Sequence, residues 1–317
     1  MYLGIEIGGT KLQLGLGRGD GEPPVALERL TADAKGGAEA IRRQLAEAGS
    51  RLIAAHDVRA VGIGFGGPVD PAAGRTVKSH QVDGWEDYPI VDWAQSAFGK
   101  PIVLANDSDS AGLAEALFGA GRGRRFVVYS NVGSGIGGAL VLDGRLHTGA
   151  AGVAAEIGHM RPGPDAALPE QTIEAISSGW AITGAVRRRL EGADAQSPDA
   201  RDLLARCRGT LDALDTRVIA EAALAGNAVA REAMDRACRA YGWALSQVVT
   251  LIAPEVIVLG GGVSLVDASL FLEPVRRYVA QYVFPPLAGR YAIVPARLGE
   301  EVVVHGTLAL AASRRPG

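Results

Sequence analysis

The sequence is poor in cysteine, in aromatic residues and in charge of a single sign. Only Cys207 and Cys238 occur among 317 residues. Two thiols so far apart exclude a disulfide framework and a cysteine-based zinc site, and they fit a reducing, cytoplasmic setting. No uninterrupted run of about 18 apolar residues is present, so no membrane span is expected. The first residues carry no charged leader followed by an apolar stretch, so no signal peptide is expected either. Lys and Arg number 32 against 35 Asp and Glu, a net charge of −3. That balance gives no global electrostatic reason to bind nucleic acid or an anionic membrane. Two local basic runs, 122–125 and 187–189, read as a solvated loop before a strand and as the polar end of a helix. The G-x-x-x-x-G-K-[ST] phosphate loop is also missing.

Glycine is what the chain has in excess, at 43 residues. Because glycine reaches φ > 0 and lets a ligand approach the backbone, the excess points to tight loops. Hydrophobic residues make up 48% and charged residues 21%, a globular composition, and the length suggests two domains, with one large domain as the alternative. Apolar periodicity predicts a strand, a Gly-Gly turn and a second strand over 2–16, a helix over 38–53 and a buried strand over 60–65. A short helix over 88–98 and a strand over 102–105 follow, then a helix over 107–118 that opens on the polar cluster Asn106, Asp107, Ser108, Asp109. Strands over 126–132 and 139–142 flank another glycine turn. Beyond a polar connector come a helix over 172–190, an Asp- and Ala-rich surface stretch, and a long helix over 228–252. A strand over 256–259, a helix over 270–282, a strand over 292–295 and a helix over 304–312 complete the chain. The two strand–glycine–strand segments, one with Thr10 and one with Ser134, suggest two related halves. No linker is long or polar enough to be disordered, so the domains are expected to meet at a cleft.

G-x-G-x-x-G occurs at Gly62, Gly64, Gly67 and again at Gly133, Gly135, Gly138. A dinucleotide fold is nonetheless excluded. That fold needs a helix directly after the glycines so that its N-terminus meets the pyrophosphate. Here Gly67 is followed by Pro-Val-Asp-Pro and Gly138 by Ala-Leu-Val-Leu-Asp-Gly. A glycine turn with a hydroxyl between two antiparallel strands can hold phosphate another way, through converging backbone N–H groups. Taken singly, each turn also reads as an ordinary β-hairpin.

In their order along nearly the whole chain, the motifs resemble the ROK family of sugar kinases, within the actin, hexokinase and Hsp70 superfamily. The segments are GIEIGGTK at 4–11, VGIGFGGPVD at 61–70, Asn106-Asp107, GSGIGG at 133–138, EIGH at 156–159 and PEVIVLGGGV at 254–263. The resemblance implies an α/β, two-domain actin-like (ribonuclease H-like) fold with a central cleft. It implies a smaller N-terminal domain over 1–117 closed by 302–317, and a larger one over 118–301. The implied activity is ATP-dependent phosphorylation of a hexose, glucose at the 6-hydroxyl first, with Asp107 as general base and Asn106 bonding a neighbouring hydroxyl. On position alone, Asp107 reads equally as a helix N-cap. Gly67, Gln81, Glu156, His159 and Glu174 complete the implied sugar site, where carboxylates suit the task because each accepts from two hydroxyls. ATP would be held by Gly8, Gly9, Thr10, Lys11, Gly133, Ser134, Gly135, Gly261 and Gly262, and Glu6 would hold Mg2+ through water. Lys11 also reads as an exposed strand lysine, and Glu174 as a solvated helix residue. A homodimer is implied by the resemblance alone.

Three departures qualify the match. In most of the family the His of EIGH precedes a Cys-rich loop that holds zinc, but 160–173 contains no cysteine. One His cannot keep a tetrahedral zinc site, so no zinc is expected. Pro162, Pro164 and Pro169 are expected to restrain the loop instead, and His159 is left as a sugar contact or a packed residue. Gln81 stands where glucose-type relatives carry Asn, which leaves N-acetylglucosamine, N-acetylmannosamine and fructose as competing substrates. Asp109 is expected to face solvent; facing inward, it would raise the pKa of Asp107. A transcriptional regulator is not expected, since only three residues precede GIEIGGTK and no basic recognition helix appears. A catalytically inactive sugar sensor and a polyphosphate-using kinase remain as other readings.

Overall fold

The computed structural model describes residues 1–79, 81–150, 152–192 and 195–314. His80 and the last three residues of the expected N-terminal domain lie outside that range. The chain opens with β1 (Tyr2–Ile7), β2 (Lys11–Gly17) and β3 (Ala26–Thr31), followed by α1 (Gly37–Ala55) and β4 (Ala60–Phe65). Two short strands, β5 (Val69–Asp70) and β6 (Arg75–Thr76), precede α2 (Ile90–Phe98), β7 (Ile102–Asn106) and α3 (Asp107–Leu117). Together β1, β2, β3, β4 and β7 form a sheet of order β3-β2-β1-β4-β7. β1 pairs antiparallel with β2 and parallel with β4, which in turn pairs parallel with β7.

Next come β8 (Phe126–Val132), β9 (Ile136–Leu142) and β10 (Arg145–Leu146). Five helices follow: α4 (Glu174–Ser177), α5 (Gly179–Glu191), α6 (Pro198–Arg206), α7 (Thr216–Leu224) and α8 (Ala228–Ile252). The chain ends with β11 (Val256–Gly260), α9 (Leu272–Tyr282), β12 (Ala292–Pro295) and α10 (Val302–Ser313). The second sheet has the order β10-β9-β8-β11-β12. In both sheets the third, second and first strands in chain order precede the fourth and fifth, so the repeat suggested by the two glycine turns is a repeat of topology.

Two compact units result: Met1–Tyr129 with Ala139–Ala155 and Ala296–Gly317, and Ser130–Gly138 with Glu156–Pro295. In the first, fully buried Leu3, Ile5, Leu12, Leu14, Ile41, Leu45 and Ile63 build the core. Such burial is the main favourable term of folding, at roughly 25 cal/mol per Å² of apolar surface. Trp85 closes one side, edge-on to Phe65 and to Tyr88, while the Arg42 guanidinium lies 4.1 Å from the centre of the Tyr88 ring. α10 packs against α3 and against β1, β2 and β4. The approach to α3 is so close that a Cβ at Gly306 would come within 1.8 Å of the Ser110 carbonyl oxygen. In the second unit α8 gathers α4, α5, α7 and α9, with Tyr241 and Phe271 fully buried at its centre.

Four local expectations differ from this fold. β3 is an edge strand with alternate residues exposed, so ALERLT lacks a continuous apolar signal. The stretch read as surface between 191 and 227 holds α6, which starts at the Ser197 cap with Pro198 inside it, and α7, capped by Asp215. The helix expected over 172–190 is two helices. Ser178 is extended, with φ −72° and ψ 163°, and its hydroxyl accepts from Ala181 N, so the chain restarts a helix at Gly179. Asp109 does not face solvent: it is 7% exposed, on the inner face of α3.

Candidate active site

In the first unit the parallel strands β4 and β7 end side by side, Phe65 paired with Asn106. Asn106, not Asp107, is the N-cap of α3 and accepts from Ser108 N at 2.8 Å. Its amide donates to the carbonyls of Gly67 at 2.8 Å and Phe65 at 3.3 Å, which ties the glycine segment after β4 to the end of β7. The Asn106 amide thus serves mainly the backbone, with a further bond to the Asp107 carboxylate. Asp107 accepts from Ser108 N through Oδ1 at 2.7 Å, and its Oδ2 lies beside Gly66. The residue stays partly accessible while Ser108, Asp109 and Ser110 are buried. Burial of the carboxyl raises its pKa, opposed by the hydrogen bonds from Ser108 and Asn106. Desolvation disfavours the charged form of an acid, which is the sense of the shift.

Glu6, on β1, is the second carboxylate of this group. Burial raises its pKa as well; the Lys11 charge and the Gln13 amide oppose the rise, and the Asp107 charge adds to it. Gln13 donates Nε2 to Glu6 Oε2 at 2.7 Å and to the Glu300 carbonyl at 2.8 Å, while its Oε1 is buried without a partner. Lys11 Nζ stands 3.6 Å from Glu6 Oε1, so it is engaged with a carboxylate, not merely an exposed strand lysine. The turn between β1 and β2 is closed by Gly8 N donating to the Lys11 carbonyl at 3.0 Å, with Thr10 exposed at its tip. Gln81 folds over that turn, close enough that a Cβ at Gly9 would meet its Oε1 at 1.9 Å.

The second unit brings the other glycine segments together around a cavity of about 760 Å³, a size typical of small-molecule sites. Gly133, Ser134 and Gly262 line it with Trp180, Thr183, Arg187, Leu214 and Val263. Gly179 N donates to the Gly133 carbonyl at 2.8 Å, so the new helix start at Gly179 is pinned to the glycine turn. Gly261 has φ +84°, and a Cβ there would lie 2.5 Å from the Val132 carbonyl oxygen; only glycine fits that combination. Ile136 N donates to Glu174 Oε2 at 2.7 Å, with Gly135 beside the same carboxylate. Glu174 is thus engaged with the turn instead of solvated. Glu156 and His159 are both exposed, with His159 Nε2 4.0 Å from Glu156 Oε2, so His159 is not a packed residue. Arg187 also departs from a purely solvated run: its Nη2 donates to the Leu211 carbonyl at 2.9 Å and its Nε is buried without a partner.

The ROK family profile matches residues 2–314. The chain belongs to the ROK family. Its similarity to a glucokinase of Thermotoga maritima is 30% identity, covering 99% of this chain and 98% of that protein. A ROK glucokinase of Streptomyces griseus, solved in complex with glucose and AMPPNP, is 30% identical, with a TM-score of 0.83 over 98% of each chain. The ROK hexokinase of Thermus thermophilus is also 30% identical, with a TM-score of 0.77 over 98% of this chain and 97% of that one. The two-sheet architecture is therefore the actin-like fold of ROK sugar kinases.

In this ROK protein the loop after EIGH is held by Arg161, which sequence reasoning missed. Its Nη1 donates to the carbonyls of Leu168, of Pro169 at 2.7 Å and of Gln171 at 3.2 Å. Nη1 carries two hydrogens, so one of them is shared between two of the three carbonyls. Among the described residues no group of three or more His, Cys, Asp or Glu side chains is placed to hold a metal ion. An exposed His159 without thiolates does not suit zinc. No helix among the described residues is long and apolar enough to cross a membrane.

Proposed function

We propose that this ROK sugar kinase transfers the γ-phosphoryl group of ATP to a hexose, glucose first and at its 6-hydroxyl, with Asp107 as the general base. The observation that carries the reading is the state of the Asp107 carboxyl, partly accessible at a helix start and raised in pKa by burial. A base with a pKa lifted toward the working pH takes a hydroxyl proton more readily. Capping by Asn106 spares Asp107 Oδ2 for that proton. Asn106 Oδ1, Gly67, Gln81, Glu156, His159 and Glu174 supply the remaining sugar contacts in this reading. The complex of the Streptomyces griseus relative with glucose and AMPPNP supports both the sugar and the nucleotide.

Gly8 to Lys11 and the glycine segments at Gly133, Ser134, Gly135, Gly261 and Gly262 are assigned to ATP, because backbone N–H groups there can converge on phosphate. Mg2+ neutralises phosphate charge in such transfers. Glu6 suits it as an outer ligand: its carboxylate is desolvated, and the buried, unpartnered Gln13 Oε1 can accept from a metal-bound water. A cytoplasmic homodimer completes the reading, to be checked by sedimentation. The decisive experiment is an ADP-release assay over a panel of hexoses and N-acetylhexosamines, with polyphosphate as an alternative donor. Release with glucose supports the reading; turnover only with an N-acetylhexosamine or with polyphosphate corrects the substrate or donor. Silence throughout refutes it in favour of a sugar sensor.

A further inference from the structure

The cavity of the second unit is shaped by one face of α5. Trp180, Thr183, Gly184 and Arg187 all line it, and positions three, four and seven apart share a helix face. Trp180 is the large apolar residue of that face and is 56% exposed, although an aromatic side chain of its size is usually mostly buried. Asp215, Thr216 and Arg217 also line the cavity; Asp215 accepts from Val218 N at 2.8 Å and Thr216 donates to the Gly179 carbonyl at 3.3 Å. Thr183 turns its hydroxyl back to the Gly179 carbonyl at 2.8 Å, and Gly184, one turn along, adds no side chain beside the indole. Leu214 and Val263 add further apolar wall. At the far end of the same helix face stands Arg187, whose Nη2 donates to the Leu211 carbonyl at 2.9 Å. An aromatic plate, apolar walls and a glycine turn in one cavity match a flat heteroaromatic ring joined to phosphates.

We propose that Trp180 is the platform on which the nucleobase of the phosphoryl donor stacks. The inference rests on the ATP reading and names the residue that holds the base. Stacking on an aromatic ring is insensitive to base identity and contributes about 5- to 150-fold in affinity per base. Trp180 thus sets how tightly the nucleotide is held without touching the reacting atoms.

The test is a titration of the full chain with ADP, read by tryptophan fluorescence and by calorimetry. Wild type is expected to show saturable quenching. Trp180→Leu keeps apolar bulk but loses the π face, and is expected to weaken ADP binding at least about 5-fold. Trp180→Phe is expected to retain affinity within about 3-fold, since a ring remains. In Trp180→Leu the KM for ATP is expected to rise in step with the ADP dissociation constant. Wild-type ADP affinity in Trp180→Leu overturns the inference and leaves the ATP reading intact. Absence of ADP binding by wild type overturns both, and is a different result. Because the indole is more than half exposed, the variants do not empty the core, and unchanged circular dichroism verifies that they fold.

Discussion

Glu174 Oε2 accepts the backbone N–H of Ile136 at 2.7 Å. The bond spans 38 residues and fixes the point where the glycine turn becomes β9. Glu174→Ala removes a proposed sugar contact and the acceptor of the Ile136 N–H, a loss of about 1–3 kcal/mol, and is expected to raise the KM for the sugar and, through the loosened glycine turn, that for ATP, each about tenfold. Glu174→Gln, which keeps an acceptor oxygen, falls between the two. Steady-state kinetics with each substrate varied separate the roles: a rise confined to the sugar KM would assign Glu174 to the sugar alone.

Asp107→Asn is expected to lower kcat by about 10²–10⁴-fold, the usual worth of a positioned base, with the fold retained. The pH profile follows from the shift. Burial puts the folded-state pKa of Asp107 above its usual 3.8, so the acidic limb of kcat/KM lies above the ordinary Asp range. The sign for stability is the reverse of a salt-bridged carboxylate. Below 3.8 the group is protonated in both states and costs nothing; above the raised folded value the full cost of burying the charge is present. At neutral pH Asp107→Asn is therefore expected to raise Tm, measurable by scanning calorimetry.

Glu115 is fully buried and accepts three backbone N–H groups, from Ala120 at 2.7 Å, Arg297 at 2.7 Å and Leu298 at 2.8 Å. It joins the loop leaving α3 to the segment that leads into α10. Glu115→Ala strands all three donors and is expected to cost about 3 kcal/mol or more, read as a lower midpoint in urea denaturation. A variant as stable as wild type would show that the two segments hold without it.

Arg161→Ala is expected to loosen the 160–173 loop, with faster proteolytic cleavage there and a stability loss of about 1 kcal/mol, since the freed carbonyls can find water. Elemental analysis is expected to find far less than one zinc per chain, and a chelator to leave Tm unchanged. One tightly bound zinc per chain would overturn the zinc-free reading of the loop.

The elements that carry phosphate turns and the Asn106–Asp107 pair were legible because their signals are local. Alternation at Leu12, Leu14 and Leu16 marks β2, a glycine pair marks its turn, and an Asx cluster marks the start of α3. β3 was missed because an edge strand leaves its outer residues in water and so loses the apolar pattern. The Ser197-Pro198 start of α6 is present in the sequence as a cap followed by proline, within a polar stretch whose composition hides the helix.

The sequence by itself determined the family, the two sheet-forming segments and the residues available for phosphoryl transfer, since motif order and periodicity need no knowledge of distant neighbours. Tertiary structure alone decided what those residues touch. Whether Asn106 or Asp107 caps α3, whether Asp109 faces in, where the helix before Arg187 restarts, and how Arg161 gathers its loop each depend on partners brought near by folding. A buried polar group must find a partner wherever the fold supplies one, and no local pattern records which one that is.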